Sequence, residues 1–262
     1  MSYQTIRLVS GGEIAELVLM RPAARNAMSE AMGVEIRRAV DELNADAAAR
    51  VVLVRGEGEA FSAGGDLSML AARASLPEVE NRLAMRIFYS NFLSVRALRV
   101  PTLAVIGGPA IGAGLCFAMA CDLRIAAAGV KLAASFVRLG LHPGMGATYL
   151  LPRLIGPAAA NELLLTGRAI DAEEALRLGL VSQVHPRDEL DVAARALATQ
   201  IAAAAPLAVA ETKATLAAAI DRELDSALDR EAAAQAVDFG TDDLREALLA
   251  AAERRPPRFH GA

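Results

Sequence analysis

The stretch VPTLAVIGGPAIGAGLCFAMACD, residues Val100–Asp122, carries the strongest fold signal in the chain. It begins with an apolar β-type run at Leu103–Ile106, turns at Gly107-Gly108-Pro109, and continues after Gly112–Gly114 as an uncharged helical segment. In such an order, the first N–H groups of the helix lack partners within it and lie at the positive end of its dipole. The stretch therefore predicts one of two things. The first is a backbone binding site for an anion, or for an oxygen that becomes anionic during a reaction. The second is a plain glycine bend between two core elements.

Composition narrows the function classes. The 262 residues include 27 Lys and Arg against 31 Asp and Glu, for a formal net charge of −4. There is no basic stripe, so a nucleic-acid partner is not expected. Hydrophobic residues make up 54% and aromatic residues only 4%, so we expect a core of mainly Ala, Leu, Val and Ile. The mean hydropathy of +0.34 is high, which indicates further burial between subunits.

Membrane and metal signals are weak. Residues Val100–Cys121 are uncharged and long enough to span a membrane, but their prolines and glycines favour a buried strand and helix. The N-terminus lacks the long apolar segment of a signal peptide. The only cysteines, Cys116 and Cys121, match no metal-ligand pattern. The sequence therefore predicts a cytoplasmic protein with no metal site and no membrane association.

Strand and helix signals alternate over the first part of the chain and then stop. Strands are expected at residues 14–20, 51–55, 103–106, 123–127 and 181–184, with helices after Ser29, Pro77 and Asp171. From Asp188 onward the pattern is Ala-rich helix, broken at Pro206. We therefore expect an α/β core at residues 1–200 with parallel strands and right-handed crossovers, followed by a helical region at residues 201–262.

A second glycine turn repeats the strand, turn and helix order. It lies at Ala63-Gly64-Gly65-Asp66, within the sequence FSAGGDL. Two converging N–H donors would form an oxyanion hole, in which each donor is worth about 3–4 kcal/mol of transition-state stabilisation. The sequence does not show whether the two turns meet.

Several motifs, taken in their order and spacing, resemble the enoyl-CoA hydratase/isomerase (crotonase) family. They are RPAARNAMS at 21–29, FSAGGDL at 61–67, GAG with AMACD at 112–122, LGLHPGMG at 139–146, AP with TK at 205–213, and ERRPPRF at 253–259. The resemblance implies an α/β fold, a crotonase-like spiral of repeated ββα units with a C-terminal helical trimerisation region. It also implies a homotrimer or homohexamer that takes a coenzyme A thioester as substrate and needs no further cofactor.

The resemblance also assigns roles by position. It makes the N–H groups of Gly65 and Ala113 the donors to the thioester carbonyl. Arg254 falls where a neighbouring subunit's basic residue meets the CoA phosphates. Asp66 has a second interpretation, as the cap of the helix after the turn. The residues that fall where the family lines the CoA pocket are Arg25, Ala63, Gly64, Asp66, Leu67 and Ser68.

Three positions depart from the family pattern. Family hydratases carry glutamates that hold and activate water where this chain has Cys116 and Phe136. Some isomerases carry an aspartate, and one decarboxylase type a tyrosine, where this chain has Gly144. Each lost acid–base group typically costs ~10²–10⁴-fold in rate. We therefore expect isomerisation or another enolate reaction rather than standard hydration, or alternatively a catalytically impaired acyl-CoA-binding protein.

Few side chains are available to replace the missing acids. His142 is the predicted replacement acid/base, because an imidazole can take or give a proton near neutral pH. Alternatively, His142 only packs or hydrogen-bonds within its loop. Cys116 is either a small core residue or a nucleophile.

Overall fold

The computed structural model describes residues 3–261, without the side chains of residues 219–222. The strands are β1 (Ile6–Val9), β2 (Ile14–Leu19), β3 (Val51–Gly56), β4 (Thr102–Ile106), β5 (Ala110–Ile111), β6 (Leu123–Ala127), β7 (Lys131–Ala133), β8 (Ala169–Asp171) and β9 (Gln183–His185). The helices are α1 (Glu30–Ala45), α2 (Leu67–Arg73), α3 (Glu78–Leu93), α4 (Ala113–Met119), α5 (Ala147–Ile155), α6 (Pro157–Thr166), α7 (Ala172–Leu178), α8 (Leu190–Ala202), α9 (Pro206–Asp238) and α10 (Asp242–Glu253).

The larger sheet has six strands in the order β1-β2-β3-β4-β6-β9. All neighbours pair in parallel except β1 and β2. Every residue of β4 is buried, as expected for a central strand of a parallel sheet covered on both faces. The predicted parallel pairing is confirmed.

A smaller sheet of β5, β7 and β8 lies beside the larger one. Its strands have only two or three residues, too short to produce a period-2 pattern, so the sequence did not predict them. The chain passes from the larger sheet to the smaller sheet and then into a helix, first as β4, β5 and α4, and then as β6, β7 and α5. This repetition is the expected spiral of ββα units.

Local capping chemistry sets the starts of several helices. The Ser29 side chain accepts a hydrogen bond from the Met32 N–H at 3.3 Å, Asp171 caps α7, and Thr241 caps α10. Helix α7 ends at Gly179, which has a φ of 81°, a conformation that glycine adopts without strain. The starts of α1 and α7 agree with the sequence predictions.

The C-terminal helices pack on the core of their own chain. The predicted boundary near residue 200 falls inside α8, whose Leu190, Ala194 and Ala198 are buried. Helix α9 has 33 residues and packs along α3. Helix α10 buries Leu244 near the loop that follows β7. The helical region therefore contributes directly to the surroundings of that loop.

Within residues 3–261, no single helix is long and apolar enough to cross a membrane. The helix pair Leu190–Ala202 and Pro206–Ala218, bent by 104°, meets the length and composition test together. No group of three or more His, Cys, Asp or Glu side chains within that range could hold a metal ion. Cys116 and Cys121 are free and buried.

Candidate active site

The two glycine turns lie side by side. The Ile111 N–H donates to the Ser62 carbonyl at 3.0 Å, which joins the turns in a short parallel bridge. A β-carbon on Gly64 would lie 2.7 Å from the Ile111 carbonyl oxygen and 3.6 Å from the Ala113 nitrogen. A β-carbon on Gly114 would lie 2.6 Å from the Ser62 β-carbon. Both positions therefore need glycine so that the two backbones can approach.

Each turn presents an unpaired N–H group. Ala113 is the first residue of α4, so its N–H has no partner within the helix. On the other turn, the Met28 N–H donates to the Gly64 carbonyl and the Asp66 N–H donates to the Met28 carbonyl. The N–H of Gly65, which lies between these two residues, takes no part in this pairing. Within the described part of the chain, neither the Gly65 nor the Ala113 N–H donates a hydrogen bond. The two neighbouring turns therefore each leave one backbone N–H donor without a partner in the described part of the chain.

A cavity of about 320 Å³ opens beside these turns. Its wall is mostly apolar, and among the described residues that line it only Asp66 and Tyr89 have titratable side chains. The lining residues are Ala24, Ala27, Ala63, Gly64, Gly65, Asp66, Leu67, Ser68, Met69, Leu70, Met85, Phe88, Tyr89, Ile111, Gly112, Ala113, Ser135, Phe136, Leu139, Leu141, Met145 and Gln235. The cavity therefore suits an apolar acyl group close to two N–H donors.

The Asp66 carboxylate is already occupied by its neighbours. One oxygen accepts the Ser68 N–H at 3.0 Å and thereby caps α2, and the other accepts from Arg21 at 3.0 Å. Hydrogen bonds from the Ser68 hydroxyl and from Arg21 lower the pKa of Asp66. Asp66 is thus an ionised capping group, which fits the structural interpretation of this residue.

The residues predicted to bind CoA fall in two groups. Ala63, Gly64, Leu67 and Ser68 line the cavity together with Asp66. The structure does not place the other two in its lining. The Arg25 carbonyl accepts the Ala63 N–H at 2.9 Å, but the residue is exposed. Arg254 is exposed at the end of α10.

The two positions at which the resemblance leads us to expect glutamates, 116 and 136, differ in their surroundings. Phe136 is buried and lines the cavity. Cys116 is fully buried and is not part of the cavity lining, and its Sγ lies 3.4 Å from the Gly144 carbonyl oxygen. Burial and the nearby Glu231 raise the pKa of the Cys116 thiol well above its ordinary value. The structure supports a core role for Cys116 rather than a nucleophilic one.

The structure does not bring His142 to the cavity. Asp238 on α9 accepts the His142 N–H at 2.5 Å, and the His142 Nδ1 lies 2.6 Å from the Pro143 carbonyl oxygen. The residue lines a separate hollow that also contains Thr148 and Asp238. His142 belongs to a loop that borders the cavity through Leu141 and Met145. The hydrogen bond to Asp238 on the distant helix α9 nevertheless holds His142 outside the cavity lining. The geometry fits the alternative that His142 hydrogen-bonds within its loop.

Two polar residues that the sequence analysis missed also line the cavity. The Tyr89 hydroxyl donates to the Gln235 Oε1 at 2.6 Å, and the Gln235 Nε2 donates to the His142 carbonyl at 2.7 Å. Tyr89 and Gln235 are separated by 146 residues, so no local pattern pairs them. A signal was nevertheless present, because Glu231 and Gln235 interrupt an apolar stripe of α9.

The buried Glu231 carboxylate on α9 accepts hydrogen bonds from backbone N–H groups of another helix. Its carboxylate accepts the Gly146 N–H at 2.6 Å and the Thr148 N–H at 2.8 Å, at the start of α5. Burial raises the pKa of Glu231, and the hydrogen bonds from Thr148 and Gly146 oppose that shift. Because α5 has no side-chain cap of its own, Glu231 supplies that cap from α9.

Comparison with known proteins agrees with this geometry. Residues 10–262 match the family model described as "Enoyl-CoA hydratase/isomerase". The chain is 35% identical over 260 residues to a protein named crotonyl-CoA hydratase from Syntrophomonas wolfei, covering 99% of both chains. Among solved structures, an enoyl-CoA hydratase from Mycobacterium avium subsp. paratuberculosis K-10 aligns with a TM-score of 0.87 at 28% identity, covering 99% of this chain and 100% of that one. An enoyl-CoA hydratase from Bacillus anthracis aligns with a TM-score of 0.77 at 34% identity, with the same coverage. The predicted fold is confirmed, and the chain belongs to the enoyl-CoA hydratase/isomerase family.

Proposed function

We propose that the cavity binds an acyl-CoA thioester and stabilises its enolate. The thioester carbonyl oxygen accepts hydrogen bonds from the N–H groups of Gly65 and Ala113. The convergence of these two free donors on one apolar cavity carries the proposal. The hydrogen bond from a fixed donor of this kind strengthens as the oxygen becomes negative, and each donor stabilises the transition state by about 3–4 kcal/mol.

The reaction that fits the cavity is isomerisation or another enolate reaction rather than standard hydration. Hydration of an enoyl thioester needs one group to deprotonate water and one to protonate the α-carbon. Phe136 cannot do either, Cys116 lies outside the cavity lining, and the Asp66 carboxylate is held by Arg21 and Ser68. No pair of free carboxylates is available in the described part of the cavity to hold a water molecule.

The same observation favours a second candidate, an acyl-CoA-binding protein without catalysis. Both candidates use the two N–H donors in the same way, and they differ only in turnover. Sustained conversion of any enoyl-CoA supports the enzyme. Tight binding of thioesters without conversion supports the binding protein.

Calorimetry tests the role of the carbonyl oxygen. Butyryl-CoA should bind at least tenfold more tightly than S-butyl-CoA, a thioether without a carbonyl, which corresponds to about 1.4 kcal/mol. Gly65→Val should abolish binding, because the new side chain enters the cavity beside Leu70, where a β-carbon alone makes only ordinary contacts at 3.6 Å. Gly12→Val is the matched control, since nothing lies within 4 Å of that position.

The opposite results would reject the proposed function. Equal affinity for thioester and thioether would remove the oxyanion role. Absence of heat with acetyl-, acetoacetyl- and longer acyl-CoAs at millimolar concentration would remove acyl-CoA binding altogether.

We further propose that the protein is a homotrimer or a homohexamer. Large apolar side chains of the C-terminal helices support this, with Leu207 81% exposed and Leu216 65% exposed in the single chain. In such an assembly Arg254 would reach the CoA phosphates of a neighbouring subunit. A stable monomer by light scattering at micromolar concentration would contradict this. The cytoplasmic location and the lack of a further cofactor remain predictions.

A further inference from the structure

The cavity wall formed by α3 and α9 contains a buried polar pair that enolate binding leaves unused. Tyr89 is 1% exposed and Gln235 is 3% exposed. The Gln235 Nε2 lies 2.7 Å from the His142 carbonyl oxygen, and a carbonyl only accepts hydrogen bonds. The Gln235 Oε1 must therefore face Tyr89, and the phenol must donate to it at 2.6 Å. The network fixes both the orientation of the amide and the direction of the phenolic hydrogen bond.

The small residue at position 144 makes room for this pair. A β-carbon on Gly144 would overlap the Tyr89 hydroxyl oxygen and would lie 2.7 Å from the Gln235 Nε2. The phenolic oxygen thus occupies the space that a side chain at position 144 would fill. This places a proton-carrying group beside the loop that also contributes Met145 to the cavity.

The other titratable group of the described cavity lining is not free to act. Asp66 caps α2 and pairs with Arg21, and hydrogen bonds from Ser68 and Arg21 lower its pKa. A carboxylate held in this way is a weak base and carries no proton near neutral pH. Tyr89 is then the remaining group that can move a proton within the cavity.

We propose that Tyr89 is the catalytic residue that exchanges a proton with the α-carbon of the bound thioester, and that Gln235 positions its hydroxyl. The inference rests on the proposed function of the cavity. The Tyr89 oxygen, when deprotonated, takes the α-proton. The electron pair of that C–H bond forms the C=C bond of the enolate, and the carbonyl π electrons move to the oxygen held by Gly65 and Ala113.

The reverse step restores the catalyst without any other reactant. The enolate electron pair takes the proton back from the Tyr89 hydroxyl and reforms the carbonyl. In a saturated thioester the proton returns to the α-carbon, so the net result is hydrogen exchange with the solvent that re-equilibrates with Tyr89. In a 3-enoyl thioester the proton can instead be delivered to the γ-carbon, which moves the double bond.

The surroundings of Tyr89 give this step a distinctive pH dependence. Burial, Glu231 on α9 and Cys116 on α4 raise the pKa of Tyr89 well above its ordinary value, while Arg86 on α3 and the Met145 N–H act in the opposite direction. The deprotonated fraction therefore rises tenfold per pH unit through the neutral range. A carboxylate, with an ordinary pKa of about 4, would be at its plateau throughout this range, and an imidazole, with one of about 6.5, would approach its plateau by about pH 7.5.

The test is hydrogen exchange at the α-carbon of butyryl-CoA in D₂O, followed by NMR from pH 6 to pH 9. Wild-type protein should exchange at a rate that rises about tenfold per pH unit without a plateau. Tyr89→Phe should lower the rate by ~10²–10⁴-fold, with the Kd for butyryl-CoA from calorimetry unchanged within a few-fold. Gln235→Leu should lower the rate about tenfold and keep the slope, because the phenol remains but is no longer oriented.

A second variant protects the test against misfolding of the first. Gly144→Ala displaces the Tyr89 hydroxyl without altering α3 and should reproduce the loss of exchange. Exchange that survives Tyr89→Phe, a plateau at neutral pH, or no exchange by wild-type protein that binds butyryl-CoA would each overturn the assignment of Tyr89. Failure of wild-type protein to bind butyryl-CoA would instead reject the proposed function itself.

Discussion

The paired glycine turns and the loop at residues 135–146 contribute to the same cavity in different ways. The turns supply main-chain N–H groups, and the close approach of Gly64 and Gly114 to the opposite turn holds them in place. The loop supplies side chains to the cavity wall, among them Phe136 and Met145. Main-chain donors persist as long as the fold does, whereas side-chain chemistry changes with a single substitution. The backbone donors of such a cavity can therefore be retained while the side chains beside them change.

The largest expected effect concerns the loop. If hydration in this fold needs paired carboxylates, the wild-type protein should hydrate crotonyl-CoA at no more than ~10⁻⁴ of the rate of a family member that carries both glutamates, as the loss per group implies. The reaction is followed by the decrease in the absorbance of the conjugated enoyl group.

A hydration rate near that of such a family member would show that the loop does not lack the acid–base chemistry that hydration needs. His142→Ala would then be the next variant to measure, because loss of that rate would identify His142 as the base despite its position outside the cavity.

The second effect concerns the turns. Ala113→Pro removes one N–H donor at the first position of a helix, where proline is well tolerated. Ala113→Val adds similar bulk and keeps the N–H, so the difference between the variants isolates the hydrogen bond. In the exchange assay the proline variant should be slower than the valine variant by ~10²–10³-fold. Equal rates would show that the Ala113 N–H does not contact the carbonyl.

The third effect separates close approach from chemistry. Gly114→Ala forces a β-carbon to within 2.6 Å of the Ser62 β-carbon, and such overpacking typically lowers the free energy of unfolding by about 1–3 kcal/mol. Gly65→Ala is the matched variant on the facing turn, since its β-carbon meets Leu70 at 3.6 Å. It should unfold within about 1 kcal/mol of wild type in urea, after allowance for the entropy of glycine. Equal stability of the two variants would contradict the packing of the turns.

The smallest effect provides a baseline outside both regions. Arg255, followed by the Arg258 N–H, lowers the pKa of Glu246 from its ordinary 4.5 to about 2. A lowered carboxyl pKa stabilises the fold above the unfolded-state value, and that contribution is lost as the pH falls through 4.5 toward 2. Arg255→Ala should return the titration midpoint of Glu246 toward its ordinary value in an NMR titration, with little change in stability because the pair is exposed. A midpoint that stays near 2 in the variant would show that Arg255 is not the cause.

The sequence predicted the features that depend on neighbouring residues. The caps at Ser29 and Asp171, the parallel strands and both glycine turns each follow from a few consecutive side chains. Apolar runs identified β2, β3, β4 and β6, and β9 with a start two residues too early, whereas β1 was missed. The strands of the small sheet were also missed, because two or three residues give too little pattern.

The features that depend on distant residues could not be predicted from local patterns. His142 carries a side chain suited to acid–base chemistry, in a loop that borders the cavity. Its backbone N–H is nevertheless held by Asp238 on α9, outside the cavity lining. Tyr89 lies on a helix whose buried face is mostly apolar, and its partner Gln235 comes from a helix near the other end of the chain. A polar residue within an apolar helical stripe, such as Gln235, marks a position to examine, but only the tertiary structure shows what it faces.

Helix α9 also sets the order in which the molecule becomes able to bind a ligand. The residues of both glycine turns have been synthesised once the chain reaches residue 114, whereas Gln235 and the Glu231 cap of α5 belong to a much later part of the chain. A nascent chain on the ribosome therefore carries the N–H donors long before its cavity has a full wall. A ligand stabilises only the state that binds it, so the proposed acyl-CoA ligand would stabilise the finished polypeptide rather than the growing chain.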